Sequence, residues 1–205
     1  MTHFTNTGNP IDFPKSKDKI DEFLDKYADY IDSMSDEEWE NLGKSMLIKR
    51  KGNLLDLAEA GEFDIIVQGC NCFNAMGAGL APQIAKRYPH AEEVDSATTR
   101  GNIAKLGNWT MSWSDYYDKN IKPFKIINAY TQYVTSQQGE DVFEYAAFEL
   151  ILRKLAHEYG GHRFGLPYIG MGLAGGDRQV ILAMIEDFAK EISAKGGSVT
   201  LVEFG

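Results

Sequence analysis

The sequence predicts an α/β fold, a central sheet sandwiched between helices, with a helical extension in front of it. Two observations predict the sheet. From about residue 46 onward, apolar runs of strand length alternate with stretches of helical periodicity. Two glycine-rich stretches, Asn71–Leu80 and Gly170–Asp177, each follow a strand and precede a helix. A third observation predicts the extension: residues 12–44 hold 11 acidic and 5 basic side chains, a net of −6 out of the chain's −9, which leaves −3 for everything else.

Within the acidic stretch Ile20, Phe23, Leu24, Tyr27 and Ile31 recur at helical spacing and give an apolar stripe on an acidic helix. Ser35 with Glu38 reads as a capping box opening a second short helix, with Trp39, Leu42 and Met46 on its apolar side. Residues 1–45 therefore read as a helical extension packed on a main domain of residues 46–205, with a partner-binding arm as the sharper alternative. Met46–Lys51 reads as a strand running into Gly52-Asn53, and Phe63–Asn71 as a strand apolar enough to be buried on both faces. Ala81 to Tyr88 reads as a short helix stopped by Pro89. Residues 105–113 and 123–133 read as two strands joined by a polar connection around Asp115–Asn120. Tyr145, Phe148, Leu152, Leu155 and Tyr159 mark a helix ended by Gly160-Gly161. Arg163–Ile169 is a strand with a proline in it. Ile181, Met184, Ile185, Phe188 and Ile192 line the last helix, and Ser198–Phe204 closes as a strand.

Composition removes several function classes. No apolar run approaches the roughly 18–20 residues a bilayer crossing needs, and the first residues lack the basic-then-apolar plan of a signal peptide. Cys70 and Cys72 cannot build a disulfide framework and lack the partners of a zinc site. The acidic balance argues against sequence-independent duplex binding, which relies on lysines and arginines at phosphates. The expectation is a cytoplasmic monomer acting without metal or cofactor, with no membrane or bulk nucleic-acid partner.

The two glycine-rich loops carry the chemistry. Glycine lets a backbone approach a ligand closely, and a helix start adds unpaired N–H groups and a positive dipole end, so each loop is a potential phosphate cradle. Two such loops suggest a ligand with two phosphates. Residues 170–175 also match G-x-G-x-x-G, but a dinucleotide-binding unit needs further strands and an acidic residue about 20 positions on. One helix and one strand follow here. No phosphate-binding G-x-x-x-x-G-K-[ST] is present either.

Lys51-Gly-Asn-Leu, Asp64-Ile-Ile-Val-Gln-Gly-Cys-Asn71 and Met76-Gly-Ala-Gly-Leu-Ala-Pro-Gln-Ile-Ala-Lys-Arg-Tyr-Pro89 together resemble the macrodomains. The likeness continues through Asn128-Ala-Tyr-Thr-Gln132, Leu166-Pro-Tyr-Ile-Gly-Met-Gly-Leu-Ala-Gly-Gly-Asp177 and Thr200-Leu-Val-Glu-Phe204. It covers roughly residues 46–205, and its nearest branch is the ADP-ribose 1''-phosphate phosphatase-like one found in phages and bacteria. The resemblance implies a three-layer α/β/α fold with a mixed central sheet, and ADP-ribose or an ADP-ribosylated molecule as ligand. It implies that Asn71 meets the distal ribose and that Asn74, Met76, Gly77, Ala78, Gly79 and Leu80 lie beside ribose and diphosphate. From the other side Ile169, Gly170, Met171, Gly172, Leu173, Ala174, Gly175 and Gly176 would close over the phosphates. Asn53 and Leu54 stand where family members hold adenine, although many carry Asp rather than Asn.

For catalysis the resemblance points to Asp177 and Asn71. The Asp177 carboxylate could orient or activate a water near the distal ribose; equally it could cap the last helix, and one residue can serve both. Gln68 stands where the phosphatase branch can carry a histidine, and Gln132 where the glutamate-linked ADP-ribosyl hydrolases of this fold have a lysine nucleophile. Glutamine can replace neither, so water attack assisted by Asp177 remains, with loop N–H groups stabilising developing charge. His90, His157 and His162 read as solvated or capping. The readings are thus a hydrolase acting at the distal ribose, on ADP-ribose 1''-phosphate or on an ADP-ribosylated protein side chain, or a binding module without turnover. A nucleotide second-messenger binder or hydrolase using the same cleft is a third.

Overall fold

The computed structural model describes residues 46–116, 122–135 and 141–204, with Asp21 and Asp25 besides. The expected helical extension of residues 1–45 lies, apart from those two aspartates and nothing that they settle, outside the described residues. The chain divides into two units, Met1–Ser33 and Met34–Gly205, and the elements that follow all belong to the second.

β1 (Leu47–Lys51) leads through Gly52 to Asn53, which caps α1 (Leu54–Glu59) by accepting at Oδ1 from the amides of Leu55 at 2.9 Å and Asp56 at 3.4 Å. β2 (Ile65–Asn71) follows, then the first glycine-rich loop, α2 (Ala81–Arg87) and α3 (Pro89–Ser96). β3 (Trp109–Trp113) and β4 (Lys125–Gln132) come next, then α4 (Tyr145–Tyr159), β5 (Arg163–Leu166), the second glycine-rich loop, α5 (Arg178–Ala194) and β6 (Ser198–Glu203).

The structure adds α1 and α3 to the elements read from sequence. Pro89 does end α2, but it also begins α3, because a first-turn proline gives up an N–H that has no partner there anyway. The strand expected over residues 105–113 starts at Trp109. Before it, Ile103–Lys105 is a 3₁₀ turn and Gly107 takes φ 73°, outside any strand. The strand expected to reach Ile169 ends at Leu166, ahead of Pro167.

The six strands form one mixed sheet in the order β1-β6-β5-β2-β4-β3. All neighbours are parallel except β3, which runs antiparallel to β4 at one edge. Helices cover both faces. On one, Ile66, Ile126 and Val202 meet Leu54, Leu55 and Ala58 of α1 and Ile84 of α2. On the other, α4 and α5 pack together, and Phe188 of α5 meets Phe164 of β5 edge to face at 5.1 Å. Ile65, Ile66 and Val67 of β2 are fully buried, and each such side chain contributes about 1.5–3 kcal/mol relative to exposure. A double-sided strand at the centre of the sheet is what this burial requires.

Five parallel strands place their carboxyl ends along one edge, where open α/β sheets bind ligands. At the opposite end, β2 and β5 are tied by Asp64, which accepts from Arg163 Nη2 at 2.6 Å, Nε at 3.1 Å and the backbone N at 2.9 Å. The guanidinium hydrogen bonds hold the Asp64 carboxyl below the usual carboxylate range, with burial opposing.

Candidate ligand cleft

The carboxyl ends of β2, β4 and β5 open into a cleft of about 420 Å³, within the range of about 300–1,000 Å³ typical of small-molecule sites. Its floor is Gln68, Gly69, Cys70 and Asn71 of β2 with Thr131 and Gln132 of β4. One lip is Ala75 and Gly77 to Ala81. The other is Pro167 to Gly170 and Gly172 to Ala174, and Thr135 completes the lining.

Asn71 is 8% exposed and organises the loop it begins. Its Oδ1 accepts from the amides of Phe73 at 2.9 Å and Ala75 at 3.3 Å, while Nδ2 donates to the Ala75 carbonyl at 2.8 Å. One Nδ2 hydrogen is left for a ligand acceptor. Beyond this turn, the amides of Gly77, Ala78, Gly79, Leu80 and Ala81 donate to no acceptor among the described residues. The same holds across the cleft for the amides of Gly170, Gly172, Leu173 and Ala174. Two rows of amides with no acceptor among the described residues therefore line one cleft, and such rows can recognise an anion without a cation.

The glycines divide into two kinds. A Cβ on Gly77 or Gly172 would meet no atom within 4 Å, and neither residue has a positive φ, so the fold does not require glycine there. Gly170 has φ 77° and its Cβ would overlap the Phe143 ring, so there the backbone demands glycine. Gly69 belongs to the second kind: a Cβ would stand 2.9 Å from Ile169 Cγ2 and 3.0 Å from Thr131 Oγ1.

Several residues singled out from sequence lie off the cleft wall. Asn53 caps α1, and Leu54 is buried in the core at its first turn. Met76 packs beneath the first loop against Cys70, Cys72, Ala81 and Tyr130. Asn74 turns its side chain toward α3, donating to the carbonyls of Asp95 at 2.6 Å and Thr98 at 3.2 Å. Met171, Gly175 and Gly176 form the part of the second loop outside the lining. Asp177 is exposed and caps α5, accepting at Oδ1 from Gln179 N at 2.8 Å and Val180 N at 3.0 Å; its own amide donates to Tyr145 Oη at 2.7 Å. Conversely Gly69, Ala75, Thr131, Thr135, Pro167 and Tyr168 line the cleft without having been singled out. Gly69 carried a usable signal, since glycine inside a strand marks close approach of another group.

The lining is poor in acid–base groups, with Cys70 and Tyr168 as its ionisable side chains. Burial pushes the Cys70 thiol up and that of neighbouring Cys72 up to about 11, so neither is a ready nucleophile at neutral pH. Gln68 donates through Nε2 to Asn128 Oδ1 at 2.7 Å, and Asn128 donates in turn to the Ala91 carbonyl at 2.8 Å and Thr110 Oγ1 at 3.0 Å. Gln132 donates to the Val134 carbonyl at 2.9 Å. Among the described residues no three His, Cys, Asp or Glu side chains converge as a metal site requires, and no helix is long and apolar enough to cross a membrane.

No protein-family model matches the chain. An uncharacterized 17.5 kDa protein from the tk-vs intergenic region of Enterobacteria phage T4 is 31% identical over 156 residues, spanning 72% of this chain and 93% of the phage protein. The chain belongs to that protein's family. Among solved structures, the macrodomain of Mycobacterium tuberculosis DarG matches with a TM-score of 0.57 and 18% identity over 77% of this chain and 97% of that one. A Trypanosoma brucei macrodomain solved in complex with ADP-ribose matches with a TM-score of 0.55 and 13% identity, over 78% of this chain and 63% of that one. The mixed six-stranded sheet with helices on both faces is the macrodomain fold.

Proposed function

We propose that this chain binds ADP-ribose or an ADP-ribosylated molecule in the cleft, with the diphosphate between the two loops and a ribose beside Asn71. The observation that carries the reading is the pair of facing amide rows, Gly77 to Ala81 and Gly170 with Gly172 to Ala174, in a lining without Lys, Arg or His. Backbone N–H groups can neutralise a diphosphate where no basic side chain stands, which reconciles an anionic ligand with an acidic protein. The ADP-ribose complex of the Trypanosoma macrodomain, a protein of the same fold, supports this choice of ligand.

Hydrolysis at the distal ribose, of ADP-ribose 1''-phosphate or of an ester-linked side chain, is a second reading, and one observation favours it. Asp177 uses Oδ1 for the helix cap, while Oδ2 accepts from no group among the described residues and could orient a water. Asn caps a helix about as well as Asp, so Asp177→Asn removes the carboxylate and keeps the cap. Calorimetry with ADP-ribose, beside turnover of both substrates by wild type and Asp177→Asn, tests both readings. The hydrolytic reading expects turnover that Asp177→Asn loses while ADP-ribose still binds. Binding without turnover leaves a recognition module, and an absence of heat at millimolar ADP-ribose overturns the proposal.

A further inference from the structure

Beneath the first loop lies a buried polar cluster that a simple structural turn does not require. Lys105 is 7% exposed and Asp95 1%, and their charged groups stand 3.5 Å apart. Lys105 Nζ also donates to Thr98 Oγ1 at 2.6 Å, Asn74 Oδ1 at 2.9 Å and the Cys72 carbonyl at 3.3 Å, and it lies 4.3 Å from the centre of the Tyr130 ring. Tyr130 Oη donates to Asp95 Oδ1 at 2.7 Å. Asn74 is the residue through which this cluster reaches the loop. Its φ of 56° is the one positive value at a non-glycine position among the described residues, and its side chain is gripped at both ends, Oδ1 by Lys105 and Nδ2 by the carbonyls of Asp95 and Thr98.

The grip holds the chain just ahead of the amides that line the cleft. Cys72 and Asn74 stand on one side of Gly77, and α2 begins at Ala81 on the other. The cluster extends beyond the loop: Tyr130 Oη lies 3.4 Å from Thr110 Oγ1, which accepts from Asn128, and Asn128 accepts from Gln68 at the cleft floor. A buried lysine and aspartate are costly to desolvate, and neutral packing of the same volume is often at least as stable. Their use here is geometric.

We propose that Lys105 is a positioning residue for the ligand: paired with Asp95 and acting through Asn74, it fixes the first loop so that the amides of Gly77 to Ala81 face the diphosphate before the ligand arrives. This rests on the ligand reading above. Ordering a loop only on binding costs free energy that a preset loop does not, so loosening the grip weakens binding even where the fold persists.

Two variants of the whole protein test it. Asn74→Gly keeps a residue that adopts φ 56° freely and removes both ends of the grip. Lys105→Met with Asp95→Asn removes both charges together, so no unpaired ion is left buried. For each, ADP-ribose affinity by calorimetry is read beside amide hydrogen exchange of the two loops and thermal stability. We expect affinity about tenfold lower in both variants. We also expect exchange at the hydrogen-bonded amides of Phe73 and Ala75 in the first loop to be about tenfold faster, with exchange at the hydrogen-bonded amides of Met171, Gly175 and Gly176 in the second unchanged. Affinity within twofold of wild type, or exchange that rises equally in both loops as stability falls, overturns the positioning role. If wild type itself does not bind ADP-ribose, the ligand reading fails with the positioning role, whereas failure of the variants alone leaves it standing. Where the double variant does not fold, Asn74→Gly carries the test.

Discussion

The two glycine-rich loops face each other across one cleft, yet they are built differently. The first, Asn71 to Leu80, is shaped by polar side chains: Asn71 closes its opening turn, and Asn74 is clamped from below by Lys105, Asp95 and Thr98. The second, Tyr168 to Asp177, is shaped by backbone bonds and apolar wedging. Met171 N donates to Tyr168 O, Gly175 N to Gly172 O and Gly176 N to Gly170 O, and Ala174 O accepts from Val142 N, while Phe143 fills the space beside Gly170. Its tip is exposed, Leu173 reaching 60%. Both loops line the cleft with amides that find no acceptor among the described residues, but one depends on charges buried beneath it and the other on backbone bonds and close packing at Gly170 and Gly176.

The largest effect that could break this contrast is expected at Gly170. A Cβ there collides with Phe143 and must adopt a left-handed φ, so Gly170→Ala should lower unfolding free energy by about 2–4 kcal/mol in chemical denaturation. A loss below about 1 kcal/mol would show that the second loop is not held by that wedge. Gly77→Ala and Gly172→Ala sharpen the contrast from the other side. Their side chains meet no protein atom and their backbones need no left-handed φ, so stability should change by less than about 1 kcal/mol. ADP-ribose affinity measured by calorimetry should nevertheless fall about tenfold in each, about 1.4 kcal/mol, because the methyl stands where a phosphate approaches.

The smallest expected effect lies away from both loops, at the amino ends of β2 and β5. Asp64 has a lowered pKa in the fold, so its contribution is fully present above the ordinary carboxylate range and is lost as pH falls through and below that range. The carboxylate is partly exposed, so Asp64→Asn should cost less than about 1 kcal/mol near neutral pH. The cost should shrink toward zero in acid, read from denaturation midpoints at several pH values. A constant cost across that range would assign the effect to packing rather than charge.

Much of this was legible in the sequence, and what was hidden has physical reasons. Long amphipathic repeats announced α4 and α5, and the unbroken apolar run of β2 announced a central, doubly buried strand. α1 and α3 span less than about two and a half turns, too short to display a 3.6-residue period. Pro89 is ambiguous because the same ring ends one helix and starts another. At the site, glycines marked both loops, but sequence could not tell Gly77, which faces the cleft, from Gly170, which the backbone requires. Asn74 was legible as a loop residue, and its contacts with Asp95 and Thr98 were not. Lys105 gave no signal at all, since an isolated lysine at the start of an expected strand reads as a surface residue, and its partners Asp95 and Asn74 are brought to it by the fold.

The most direct test of the account is a structure of this protein soaked with ADP-ribose. Diphosphate oxygens are expected within about 3 Å of amides on both loops, with a ribose beside Asn71 and the Asn74 side chain still held by Lys105. Diphosphate bound outside the cleft, or held by side chains while both amide rows stay uninvolved, would contradict it.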